Sequence, residues 1–393
     1  MSNIFQENKS RENTPQFGFA IELLQFTDGT IDYTDTHRNL DIRIEGVSID
    51  VNGPLSTWKH DGTFKIKSGS FKFNGAETAI DNFDADFQIL ASGSKLDKLQ
   101  LKFGNSNLTV TGEFNHGETP VSWNSTLNLL LDVADVAPFF GEDIELEGIV
   151  DATLTMDGAD SALAGTLSVE MPTFSAVPAE NSPKIALTAL HVDSDFNSEP
   201  TPILTLKKLS VQVADGTVVG DGSITLENAL EGNPLTQLQQ LTLHPMRYRG
   251  KWDATKIQLI PLLSMFVQIP ENLVDSTGLL SSSGELNGNS TDTSSLELDS
   301  KITLIETTLD EVELNDSTFN CTIAAGPFPL ERQDALEIHA TDINFDDLMK
   351  IANSTDIGGT AELSAKLSDG TLTGFMEIPN ATFNDIPIGV LSG

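Results

Sequence analysis

From Phe17 to the end of the 393-residue chain, apolar and polar residues alternate, and a period of two leaves few architectures open. Val47, Ile49 and Val51 point one way, with Ser48, Asp50 and Asn52 opposite. The same logic pairs Phe64 with Ile66, Phe71 with Phe73, Phe87 with Ile89, Leu101 with Phe103, Leu108 with Val110, and Leu127 with Leu129. Further on it picks out Leu154, Leu167, Val169, Leu204, Leu206, Val211, Val213, Ile224 and Leu226. Asp28-Gly29, Asn52-Gly53, Asp61-Gly62, Asn74-Gly75, Asp215-Gly216 and Asp221-Gly222 punctuate these runs, as turns with positive φ require. Pro172 to Pro183, Asn197 to Pro202, Asn228 to Thr236 and Ser281 to Ser295 read as looser connections. The pattern predicts an all-β chain, a long antiparallel meander with few helices.

A sheet with one apolar face must bury that face against something. Helices are too few and short here to cover some two dozen strands. A sandwich usually ends after seven to nine strands, and this pattern runs on. The expected solution is an elongated, strongly curved sheet whose apolar wall forms a groove. The 24 residues from Val47 to Leu226 named above are the predicted lining. A structural or adhesive β-solenoid with a dry apolar core is the alternative.

Charge narrows the partners. Acidic residues number 58 and basic ones 22, a net charge of −36, with no cluster of Lys and Arg. That excludes a phosphate-backbone grip on nucleic acid and a polybasic grip on anionic headgroups, so contact with lipid must be through acyl chains. The six histidines are scattered without metal-ligand spacing, and Asp81 to Asp86 lacks the glycine and terminal glutamate of a calcium loop. No nucleophile elbow or phosphate-cradling loop is present, so neither cofactor nor metal is expected and the chain reads as non-enzymatic. Cys321 alternates with Phe319 and Ile323, a small apolar residue by position. Residues 1–16 are polar and read as a disordered leader. No run approaches the roughly 18 apolar residues that span a bilayer.

The chain also repeats itself. Val133 to Phe140, Ile257 to Leu263 and Phe345 to Met349 are short helix-compatible runs. Each is followed by a glycine turn (Gly148, Gly278, Gly358-Gly359) and alternating strands, and closes on Thr173, Thr308 or Thr382. Repeat units fall at roughly 17–131, 132–254, 255–341 and a truncated 342–393. The short helices are expected to dock on the apolar face or at its end, because exposing Phe139, Phe140, Leu262, Leu263, Leu348 and Met349 is unfavourable.

This helix-plus-meander unit, with Asp28-Gly29-Thr30-Ile31-Asp32-Tyr33 and the run Leu101 to Gly112, resembles the AsmA/TamB-like proteins. The resemblance covers residues 17–393 as a pattern of degenerate repeats. It implies a periplasmic β-groove in a Gram-negative-type envelope, conducting phospholipid between inner and outer membranes, with membrane proteins at its two ends. It also implies a fragment lacking the family's N-terminal membrane anchor.

Overall fold

The computed structural model describes residues 23–53, 59–73, 76–117, 120–140, 144–159, 162–177, 184–199, 201–226, 246–265, 269, 273–289, 295–309, 312–314, 316–326, 335–344, 357–368, 371–383 and 386–392. They form one antiparallel sheet of 24 strands. The first, β1 (Leu23–Asp35), pairs with β2 (Leu40–Asn52). Both β3 (His60–Ile66) and β4 (Ser68–Phe73) lie against β2, a single lane broken at Lys67. The next lane, β5 (Ala76–Ile80) and β6 (Asn82–Leu90), is broken at Asp81.

From there each strand adds to the last: β7 (Gly93–Phe103), β8 (Ser106–Asn115), β9 (Ser122–Asp132), β10 (Glu145–Ala159), β11 (Ala162–Val177) and β12 (Ile185–Asn197). Then follow β13 (Ile203–Val213), β14 (Gly216–Leu226), β15 (Met246–Gln258), β16 (Thr277–Asn289) and β17 (Ser295–Leu309). Another shared lane holds β18 (Val312–Glu313) and β19 (Ser317–Gly326), followed by β20 (Ala335–Asn344). The last shared lane is β21 (Ile357–Gly358) with β22 (Thr360–Ser368), and β23 (Thr371–Phe383) and β24 (Ile386–Ser392) close the series. Four strands continue a neighbour's lane, so the sheet is 20 lanes wide. Its end strands, β1 and β24, each have one partner among the described residues, and the sheet does not close on itself.

The expected meander is present, and the bulges are what the alternation did not disclose. Asp28, Gly46, Lys67 and Asp81 are extra residues at one level of the first four lanes. Each shifts its strand's alternation by one. Because neighbours shift together, Ile31, Ile44, Gly69 and Ile80 resume in register on the apolar side. Further bulges, with positive φ at Ala189, Lys256, Glu306 and Asp342, interrupt β12, β15, β17 and β20. A bulge bends its strand and increases the local twist, so repeated bulges curl the sheet.

Few of the described residues are fully buried. Among the described residues, a cluster of buried hydrophobics joins Ala361, Ile378 and Ala381, with Ile343, Ile357 and Met376 packed around it. Most apolar strand residues are half-buried, as on a curved wall without a second layer over it.

Several local expectations need correction. Val133 to Phe140 is not an α-helix but two 3-10 turns, Val133–Asp135 and Ala137–Phe139, because Pro138 removes an amide donor. The second helix, α1 (Leu259–Ser264), begins after Ile257 and Gln258, which complete β15. The third run, Phe345 to Met349, lies outside the described residues. Gly148 and Gly278 are not turns: they sit inside β10 and β16 at φ 140° and 156°, and Gly359 has the matching φ of 133°. Each backs onto a closing strand, where a Cβ would meet the Thr173 carbonyl, the Thr307 side chain or the Asn380 carbonyl. The three glycines therefore occupy one structural position in successive units. Pro172 to Val177 and Ser281 to Asn289 are strand rather than loop.

Candidate functional site

Register turns alternation into surface, since residues directly opposite in an antiparallel ladder share a face. One row begins at Phe26 and passes through Ile49, Phe64, Ala85, Leu99, Val110, Leu127, Leu154 and Leu167. It continues through Ser194, Leu206, Gly222, Gly250, Leu286 and Leu298 to Ile323, Ile338, Ala365 and Gly374. Nineteen residues cross 19 of the 20 lanes, and none carries a charge.

Two rows flank it. The first runs from Ile66 through Phe83, Leu101, Leu108, Leu129, Ala152, Val169, Val192 and Leu209. It goes on by way of Gly220, Trp252, Gly284, Ser300, Cys321, Ala340 and Leu363 to Met376. The second starts at Leu24, Val51, Gly62, Phe87, Leu96 and Gly112, and reaches Ser125, Met156, Gly165, Phe196, Leu204, Ile224, Tyr248 and Gly288. Neither flank contains a charge. The opposite face differs at every step: one of its rows reads Thr111, Thr126, Thr155, Thr166, Asp195, Thr205, Ser223, Arg249, Asn287, Glu297.

The register brings the sequence-predicted lining together. Ile49, Phe64, Val110, Leu127, Leu154, Leu167 and Leu206 are in the central row. Ile66, Leu101, Leu108, Leu129 and Val169 are in the first flank, and Val51, Phe87, Leu204 and Ile224 in the second. Val47, Ile89, Phe103, Val211, Val213 and Leu226 lie further along the same strands, on the same side by alternation. Phe71 and Phe73 lie beyond the bulges, where Phe71 packs on Phe139 of the 3-10 turn, ring centroids 5.7 Å apart. That turn thus reaches the apolar side as expected, and Val133 is buried, but Phe140 and Leu263 are exposed. Sequence reasoning missed Phe83, Phe196, Tyr248 and Trp252. The alternation Met246, Tyr248, Gly250, Trp252, Ala254 against Arg247, Arg249, Lys251, Asp253 was there to find them, with a glycine standing for an apolar residue.

Glycine matters on this wall because a flat ring fits over it. Phe87 lies across Gly62, Trp123 across Gly158 and Trp252 across Gly284, each directly opposite in the neighbouring strand. A Cβ at any of the three would fall within the ring's space. Trp252 also donates its indole N–H to Ser282 Oγ at 3.3 Å. Phe64 and Phe83 meet edge to face at 5.4 Å, a favourable aromatic geometry.

Charge chemistry sits on the other face. Ser168 Oγ and His191 hydrogen-bond Asp193 at 2.8 Å each, and these bonds hold its carboxyl below the usual aspartate range. Ser175 and Lys184 do the same for Glu147. Lys251 Nζ bonds Glu285 Oε1 at 2.8 Å, which raises the Lys251 pKa. On the apolar face, burial pushes the Cys321 thiol up. Among the described residues no three of His, Cys, Asp and Glu come together as a metal site, and no helix is long and apolar enough to cross a membrane. Comparison with protein-family models, curated proteins and solved structures finds no match, so the groove is read from its own geometry.

Proposed function

We propose that this chain is a non-enzymatic lipid carrier, whose groove binds phospholipid acyl chains and lets them pass across the strands. The observation that carries the reading is the uncharged row of nineteen residues from Phe26 to Gly374, flanked by two further uncharged rows. Successive rungs are about 4.8 Å apart, so a chain moving along the row exchanges one apolar contact for another. Each buried methylene is stabilised by roughly 0.8 kcal/mol, and headgroups stay in water outside the wall. The net charge of −36 fits a carrier that does not hold anionic headgroups.

The resemblance to AsmA/TamB-like proteins supplies the setting: a periplasmic path between two membranes, with membrane proteins at either end. A dry-cored stalk is the competing reading, and the half-buried state of most described apolar strand residues weighs against it. Extraction of the chain purified without detergent, followed by mass spectrometry, tests the proposal together with phospholipid transfer between donor and acceptor vesicles. Co-purified phospholipid and transfer above the protein-free rate are expected. A lipid-free chain that moves no lipid would sink the reading.

A further inference from the structure

Three glycines of the central row, Gly222, Gly250 and Gly374, have no ring over them, and the first two stand side by side. Gly222 and Gly250 are directly opposite each other in β14 and β15. A Cβ at Gly250 would meet nothing nearer than the Asp221 carbonyl oxygen at 3.4 Å and Leu286 Cβ at 3.8 Å. Above this bare backbone lies a cavity of about 540 Å³, within the range of roughly 300–1,000 Å³ found for small-molecule sites.

Its shape follows from its lining. Six consecutive residues of the central row border it: Leu167, Ser194, Leu206, Gly222, Gly250 and Leu286. Leu204, Ile224 and Tyr248 of the second flank line one side, and Val192 of the first flank the other. Five strand steps of about 4.8 Å give its floor a length of about 24 Å along the central row, with residues of both flanking rows at its sides. Asp221, Ser223 and Arg249 border it too, but they alternate with Gly222, Ile224 and Gly250 and direct their side chains to the opposite face. The polar side-chain groups that face inward are the hydroxyls of Ser194 and Tyr248, neither of them a cation that would neutralise a carboxylate.

We propose that this hollow is a discrete binding site for one long, unbranched, esterified acyl chain, a resting place in the groove rather than part of a uniform track. Length excludes a compact ring system, and the uncharged lining excludes an ionised end group inside. The site rests on the acyl-chain reading of the groove as a whole.

The test counts palmitoyl lysophosphatidylcholine on the full chain by native mass spectrometry, below the lipid's micelle concentration. One molecule should bind saturably per chain. Gly250→Leu fills the hollow and should weaken that binding by about tenfold or more. Gly250→Ala adds a single methyl where there is room, and should weaken it by a smaller factor with the thermal midpoint retained. Gly374→Leu, in the same row but in β23, has its nearest contact at 3.7 Å and should leave the site intact. Several equivalent lipids bound, unchanged by either Gly250 variant, would overturn the discrete site and leave the carrier reading standing. No lipid on the unsubstituted chain would overturn both.

Discussion

The lanes from β3 to β10 and those from β11 to β16 floor one groove in two ways. In the first, two glycines of the wall are covered: Phe87 lies over Gly62 and Trp123 over Gly158, while Phe64 and Phe83 meet edge to face beside Gly62. In the second, Gly222 faces Gly250 and neither has a ring to cover it, so the floor is hollow over six rungs. Register, strand spacing and absence of charge are common to both. What differs at these glycines is the residue opposite: an aromatic ring fills the wall at Gly62 and Gly158, whereas another glycine leaves it open at Gly222 and Gly250. One row away, Trp252 again covers a glycine, Gly284. An apolar groove can thus be smooth in one section and hold a ligand-sized recess in another without any change of fold.

The largest effect that bears on this comparison is a charge in the central row. Leu206→Asp, in the hollow, should abolish acyl-chain binding, measured by lipid co-purification. Leu127→Asp, in the filled section, should block transfer between vesicles while leaving the resting site occupied. Both should cost less than the roughly 4–5 kcal/mol typical of severe core damage, because an open wall lets the carboxylate reach water. Urea denaturation giving a larger loss would point to a dry core.

Shape comes next. Twenty lanes at about 4.8 Å make an arc on the order of 90 Å, whereas a compact chain of this length has a radius of gyration of about 21 Å. Small-angle scattering should give a clearly larger value with an elongated profile. A result near the compact value would remove the groove from both sections alike.

Uncovering a glycine should convert one section into the other. Phe87→Ala exposes Gly62 and should add a second, weaker lysolipid site while costing about 2 kcal/mol, below the usual value for a fully buried phenylalanine. A variant that loses stability without gaining binding would mean that the hollow depends on more than the missing ring. Gly278→Ala, by comparison, tests the repeat rather than the floor. Its φ of 156° and the Thr307 contact should make it cost about 1–3 kcal/mol by thermal denaturation.

The smallest effect belongs to the wet face behind the groove. Asp193 is held below the ordinary aspartate value of 3.8, so its contribution is present above that pH and is lost as pH falls through the lower folded value. Asp193→Asn should therefore leave lipid binding unchanged and flatten only the acid limb of the stability profile. A change in lipid binding at neutral pH would contradict the separation of the two faces.

Much of this was legible in the chain. Period-two alternation in Val47-Ile49-Val51 or Leu127-Leu129 is a property of each strand alone, so strand identity, the meander and the apolar character of one face need no knowledge of neighbours. Sparse helix left that face without a covering layer, and the near-absence of basic clusters followed from composition. Register is another matter. A one-residue slip turns every side chain to the other face, and no single strand records which residue of the next will stand opposite it. The extra residues at Asp28, Gly46, Lys67 and Asp81 keep four strands in phase only because they fall at the same level. Gly62 finds Phe87 in the partner strand 25 positions away in the chain, and Gly222 finds Gly250 across 28, pairings made by the ladder and invisible to local pattern. Alternation therefore announces an apolar wall, while cross-strand pairing determines where that wall is filled and where it is hollow.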